Sequence, residues 1–252
     1  MSESKSLTFY DDSTRAERYH RKKGFAPARK ERMLEVTIDL LTALTSPQST
    51  VLELGAGTGL FTEKLLNANH FQEIYVTDGA DEMLTIARKT LKSKQTLLHF
   101  VQLDFTTSWS NRFADTGIDA VVSSMAIHHA DEKQELFQQV FAVLKPGGVF
   151  VFSDHMAGTS ACTQYLIARE RALIKLGQEG RKNPEQILEL IHEDEERQRT
   201  EGNACETVAQ YQQYLATSGF EDIDCLWRDY WLAVFVARKP KDGTVVAKLA
   251  AV

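Results

Sequence analysis

Val51-Leu52-Glu53-Leu54-Gly55-Ala56-Gly57-Thr58-Gly59-Leu60 is an apolar run that enters a glycine-rich turn and opens into helix-forming sequence. Val51–Leu54 reads as a strand buried on both faces, and Leu60–Leu66 as the helix behind it. The glycines allow positive φ and, having no side chains, let a ligand approach the main chain closely. Unpaired N–H groups at the start of the helix suit a carboxylate, or a phosphate in a nucleotide enzyme. Spacing separates the two cases. A nicotinamide enzyme places its third glycine three residues after the second, where this chain has Leu60; here the glycine stands at 59. Glu53, two residues before Gly55, can support the loop or meet a ligand amine. The plain alternative is a tight strand–helix turn with no ligand.

Outward from that segment the sequence alternates. Val51–Leu54, Ile74–Thr77, Leu98–Leu103, Ala120–Ser123 and Val149–Phe152 read as strands. Between them lie helical signals at Leu60–Leu66, Asp81–Leu91 and Glu132–Leu144, the last stopped by Lys145-Pro146-Gly147-Gly148. Strands separated by helices predict an α/β fold with a mostly parallel sheet and right-handed crossovers. Upstream, Asp11 to Thr45 reads as two helices broken near Gly24-Phe25-Ala26-Pro27, the second striped with Met33, Val36, Leu40, Leu41 and Leu44. Downstream, residues 156–199 carry charged helical sequence and no strand; Glu193-Asp194-Glu195-Glu196 reads as a solvated helix face, not a metal site. A helix at Thr207–Ala216 precedes Ile223–Trp227 and Tyr230–Ala237, which the pair Arg228-Asp229 separates as an antiparallel hairpin would. The expected organisation is an N-terminal helical segment over 1–46, a central domain over 47–238 with a helical insert at 156–205, and a flexible tail over 239–252.

Two further acids close strands. Asp78 lies nineteen residues after Gly59, where dinucleotide-type folds place the carboxylate that accepts from ribose hydroxyls; capping the helix that begins near Asp81 is the competing role. Asp104, followed by Phe105, is third in the series and suits an adenine amine with the ring packed alongside.

Composition excludes some classes. The chain has 252 residues, a formal charge of −6, 43% hydrophobic and 25% charged residues, ordinary for a globular protein. That charge argues against extended phosphate-backbone contact, although Arg18, His20, Arg21, Lys22, Lys23, Arg29, Lys30 and Arg32 crowd together; a solvated helix face is the favoured reading. No apolar stretch reaches bilayer length and the first residues lack a secretion-signal core, so a cytoplasmic location without membrane contact is the expectation. Cys162, Cys205 and Cys225 are far apart and form neither a disulfide framework nor a metal pair.

Taken in order, Glu53–Gly59, Asp78, Asp104, Asp119-Ala120-Val121-Val122-Ser123-Ser124 and Leu144-Lys145-Pro146-Gly147-Gly148 resemble the motifs of class I methyltransferases that use S-adenosylmethionine (SAM). The resemblance covers Ser49 to Asp154, and the terminal hairpin is similar to the family's antiparallel strand pair. It implies a Rossmann-like, doubly wound, seven-stranded sheet of order 3-2-1-4-5-7-6 with strand 7 antiparallel and a helical lid after strand 5. It also implies a cofactor site: Glu53, Gly55, Ala56, Gly57 and Gly59 around the methionine part, Asp78 at the ribose, Gly79 and Met83 beside the adenosine, Asp104 and Phe105 at the adenine, and Ser124 near the methionine end.

SAM carries an electrophilic methyl group, so the protein has mainly to align an acceptor, with a base where the acceptor must lose a proton. Candidates are His128-His129 after the fourth strand and Asp154-His155 after the fifth. His129 serves as base or as a packing residue, and Asp154 as base or as holder of an acceptor amine. Tyr10 and Tyr19, beside His20, lie in the segment that in similar enzymes folds over the cofactor. With His155 and, in the insert, Tyr165, Arg169 and Arg171, they are the candidate substrate contacts. The leading expectation is transfer to O or N of a small molecule. RNA or protein methylation and a non-catalytic SAM-binding regulator stand as alternatives; no Asn-Pro-Pro-Tyr-like motif or Pro-Cys nucleophile supports the RNA case. Strand four ends in Ser123-Ser124 instead of an acid, so no catechol-type metal site is expected.

Overall fold

The computed structural model describes residues 17, 27–68, 70–92, 97–177 and 183–241. Its elements run α1 (Pro27–Leu44), β1 (Thr50–Leu54), α2 (Leu60–Asn67), β2 (Glu73–Asp78), α3 (Asp81–Thr90), β3 (Leu98–Gln102), β4 (Ile118–Ser124), α4 (Lys133–Val143), β5 (Leu144–His155), α5 (Ala161–Leu176), α6 (Pro184–Thr200), α7 (Val208–Thr217), β6 (Glu221–Asp229) and β7 (Leu232–Arg238). The seven strands form one sheet in the order β3-β2-β1-β4-β5-β7-β6. β1 to β5 pair in parallel, and β7 runs antiparallel to both β5 and β6. The expected topology is therefore the observed one.

Period-two alternation explains why both faces are covered. On one face Leu52, Leu54, Phe150 and Phe152 pack with Phe137 and Val140 of α4 and Tyr211 and Leu215 of α7. On the other Val51, Val149 and Val151 pack with Met33 and Leu41 of α1, Leu65 of α2 and Leu84 of α3. Each fully buried side chain of this size contributes about 1.5–3 kcal/mol relative to exposure. β6 is one of the two edge strands, and its residues alternate between exposed and half-buried.

Four details depart from the sequence reading. The strand after α4 begins at Leu144, which already pairs with Ile118; the next pair is Ala120 with Val149, so Lys145-Pro146-Gly147-Gly148 loops out of an established strand. The terminal turn is Tyr230-Trp231, because Asp229 still pairs with Leu232. Tyr230 takes a φ of 51° there, and tertiary packing settles the choice: Trp231 is buried, and the Arg29 guanidinium lies over the Tyr230 and Trp231 rings. Arg29 itself is no solvated charge, since it bonds Glu170 of α5 at 2.6 Å and Asp229 at 3.0 Å. Asp194, read as part of a solvated face, turns inward from α6 to hold Arg171 of α5 at 3.1 Å and also pairs with Arg197. Four consecutive acids on a helix span all directions, so one must face its neighbour.

α5 and α6 form the expected helical insert. Ser160 and Thr163 make a capping box at the start of α5, and Asn183 caps α6 with Pro184 in its first turn. Ala168, Ala172, Ile187 and Ile191 give the pair a small core of its own.

Candidate active site

The glycine turn is tied to β2 by main-chain and carboxylate bonds. Ala56 N–H donates to Thr77 O at 2.8 Å, and Gly57 N–H to Asp78 Oδ2 at 2.8 Å. The other Asp78 oxygen accepts from Ala80 N–H at 2.9 Å, at the start of α3. One half-buried carboxylate thus joins the glycine turn to the residue that precedes α3. Burial pushes its pKa up, while the Ala80 and Gly57 amides pull it back. Gly55 has φ 69°, and a Cβ there would lie 2.3 Å from that of Ala126, so the turn packs tightly on the chain leaving β4. Gly57 has φ 56°, and a Cβ there would meet nothing within 4 Å. That open cradle, with the buried Thr58 hydroxyl beside it lacking a partner among the described residues, fits a ligand approached by main-chain donors.

Glu53 is 1% exposed and accepts from Thr62 Oγ1 of α2 at 2.7 Å. Burial pushes its carboxyl up to about 7, against the Thr62 hydrogen bond. It braces strand to helix under the loop. Gly59 enters α2 at φ 83°. The other cofactor candidates follow along the same sheet edge. Gly79 follows β2, and its carbonyl accepts from Gln102 Nε2. Met83 is buried against Ala80. Asp104 turns its Oδ1 toward Thr106 N and Oγ1, at 2.9 and 2.6 Å. Phe105 is buried, 3.3 Å from where a Gly55 Cβ would lie. Ser124 Oγ accepts from Ser153 Oγ at 3.1 Å.

Beyond β4 the chain reverses at Met125, a non-glycine residue at φ 60° whose N–H donates to Ser153 O. This delivers a 3₁₀ turn, Ile127–His129, against the end of β5. Asp154 there is fully buried and accepts three N–H groups: His128 N at 2.8 Å, His128 Nδ1 at 2.5 Å and His155 N at 2.6 Å. The His128 ring lies 4.1 Å from that of His129 and 4.9 Å from that of His155. Burial, then the neighbouring His128, pushes His129 down to about 3; burial, then His128 and Arg171, pushes His155 well below its ordinary value. Both are neutral near pH 7. His155 Nδ1 is buried without a partner among the described residues.

Sequence reasoning brought His129, Asp154 and His155 to this edge but did not single out the His128–Asp154 pair, nor Lys133 and Lys30. Lys133 is 2% exposed, with its Nζ on Ala130 O at 2.6 Å; burial lowers its pKa and Glu206 and Asp154 oppose. Lys30 is half-buried, its pKa lowered by burial and by Arg171. No local pattern marks either, since both lie on helices whose partners are distant in sequence. His128, Asp154 and His155 bring metal-type donor atoms within 4.8 Å of one another. Both Asp154 oxygens are already engaged, however, and Lys30 and Arg171 act on His155 as cations, a setting suited to protons more than to a further cation. Burial pushes the Cys205 thiol up to about 12, so it stays protonated.

Of the substrate candidates, Tyr165 stands 47% exposed on α5 and Arg169 is half-buried. Arg171 lines a cavity of about 360 Å³ between α5 and α6 with Gln164, Ile167 and Gln198. Tyr10, Tyr19 and His20 lie outside the described residues, as do the first expected helix apart from residue 17 and residues 242–252 of the tail. No helix among the described residues is long and apolar enough to cross a membrane.

Comparison with known proteins agrees with this geometry. A family model described as a methyltransferase domain matches residues 52–152. The phosphoethanolamine N-methyltransferase 2 of Haemonchus contortus, solved with phosphomonomethylethanolamine and S-adenosylhomocysteine, superposes with a TM-score of 0.60 at 15% identity, covering 82% of this chain and 52% of that one. The [4+2]-cyclase SpnF superposes at 0.65 with 15% identity over 95% of this chain and 97% of its own; likeness at such identity speaks for the fold alone. An uncharacterized methyltransferase of Oceanobacillus iheyensis is 30% identical over 169 residues, 65% of this chain and 75% of that protein. Kinship of that extent makes the chain a member of the class I SAM-dependent methyltransferases, enzymes that take their methyl group from SAM.

Proposed function

We propose that the protein transfers the methyl group of SAM to an oxygen or nitrogen of a small molecule. The observation that carries this is the contact between Gly55 and Ala126: the wall shared by the glycine cradle and the histidine cluster brings a donor-binding half and a proton-handling half together. SAM supplies a methyl carbon already activated by its sulfonium. The residues that would hold it are the Gly55–Gly59 turn, with Glu53 and Ala56 supporting it, and Asp78, Gly79, Met83, Asp104, Phe105 and Ser124 along the edge. Asp78 would offer its remaining lone pairs to hydroxyls while keeping the turn fixed through Gly57.

What the chain itself contributes is orientation and exclusion of water. α5 and α6 follow β5 where the carboxyl edge of an α/β sheet meets its ligands, and Tyr165, Arg169 and Arg171 would contact an acceptor entering there. His155 and Asp154 would line the floor beneath it. The test is a screen with isotopically labelled SAM against metabolite pools, with total RNA as a parallel arm. Label in a low-mass product is the expected result. Label confined to RNA would overturn the small-molecule reading, and label nowhere would overturn transfer itself.

A further inference from the structure

We infer that His128, oriented by Asp154, is the group that takes the proton from the methyl acceptor. This rests on the methyl-transfer reading above and narrows it. The acceptor then belongs to compounds whose reacting atom still carries a proton it must lose, such as alcohols, phenols, amides or ammonium-form amines. Thiolates, carboxylates and tertiary amines need no base.

Three contacts fix the residue. Its N–H and Nδ1 both meet the Asp154 carboxylate, at 2.8 and 2.5 Å, and its carbonyl accepts from Ala204 N–H at 2.7 Å. The rings of His129 and His155 flank it. An ionised carboxylate only accepts, so Nδ1 carries the hydrogen and Nε2 keeps a lone pair. Nε2 has no partner among the described residues, and the side chain keeps 6% exposure. A histidine serving only as a brace would engage both nitrogens. This one commits a single nitrogen to Asp154 and leaves the other uncommitted, two residues from Ala126, which packs on the glycine turn. Its two neighbours are poorer bases, since burial holds both in the neutral form well below neutral pH.

The step balances. The acceptor's O–H or N–H bond breaks, its electron pair stays on the heteroatom and forms the new bond to carbon, and the carbon–sulfur pair leaves with the sulfur as a neutral thioether. The proton goes to Nε2. The imidazolium keeps its Nδ1–H on Asp154, whose negative charge offsets it, as in other carboxylate-supported histidines.

The experiment has two arms. The first is two-bond ¹H–¹⁵N correlation spectroscopy of the full chain labelled at histidine, with Asp154→Asn as the variant. His128 should show a protonated Nδ1 and a bare Nε2, a pattern that changes in the variant; a protonated Nε2 in the wild type would overturn the assignment without reference to any acceptor. The second compares wild type, His128→Asn and His128→Ala on the acceptor labelled best in the screen. Turnover should fall by about 10²–10³-fold while SAM affinity by calorimetry stays within about twofold, and added imidazole should restore part of the activity of His128→Ala. Unchanged turnover, or turnover and SAM affinity lost together without imidazole rescue, would overturn the base role. A wild-type chain that labels nothing defeats methyl transfer itself, an outcome distinct from an active wild type with an equally active variant.

Discussion

Between β1 and β2 the ligand-facing edge is held at short range by main chain: the amides of Ala56, Gly57 and Ala80 are taken up by Thr77 and Asp78 within a span of 25 residues. Between β4 and β5 the same edge is held by side chains gathered from afar: His128 on Asp154, with Lys30, Lys133 and Arg171 around them. The first region sets a shape, and the second sets charge and proton positions. On the proposed function, cofactor and acceptor recognition would rest on different physics, backbone conformation in one and buried titratable groups in the other.

Substitutions can break or sharpen that contrast. The largest effect is expected from Gly57→Asp, which fills the open cradle with bulk and negative charge. SAM affinity by calorimetry should fall at least about a hundredfold, while far-ultraviolet dichroism stays native because the added Cβ meets nothing and the strain of a side chain at φ 56° is confined to the turn. Gly55→Ala should act on stability instead, since its Cβ would lie 2.3 Å from that of Ala126; overpacking and a strained φ together cost about 3 kcal/mol, read as a lower denaturation midpoint. Glu53→Gln tests burial without ligand. The fold raises this carboxyl from its ordinary 4.5 to about 7, so the stability of the wild type is fullest below the unfolded value and is lost as pH rises to about 7. The variant should lose that contribution and gain up to roughly 3 kcal/mol in alkaline buffer, visible as a melting temperature that falls less than the wild type's between about pH 4.5 and 7. Asp78→Ala should weaken SAM by about tenfold through lost charge-assisted hydrogen bonds and a looser turn; an unaltered dissociation constant would remove it from the site.

Legibility in the sequence followed the same divide. The turn at Gly55–Gly59, the acids Asp78 and Asp104 and the alternation of strand and helix are local signals, and the sheet order they imply is the order found. The acceptor half was legible only as positions. His128, His129, Asp154 and His155 could be placed at one edge, but which histidine meets Asp154 depends on the reversal at Met125, and nothing nearby in sequence announces Lys133 as buried. The displaced hairpin turn has the same cause. Arg228-Asp229 looks like a turn until Arg29, about two hundred residues away, selects Tyr230-Trp231 through ring and carboxylate contacts.

The small apolar core within α5 and α6 joins the two helices to each other, while Ile167 packs α5 into the core on the sheet. Arg29, bonded to Glu170 on α5 and to Asp229 on β6, adds a polar seam to that apolar seat. Its ion pairs weaken as salt rises, so concentrated salt should loosen the insert's hold on the sheet while the two helices stay paired.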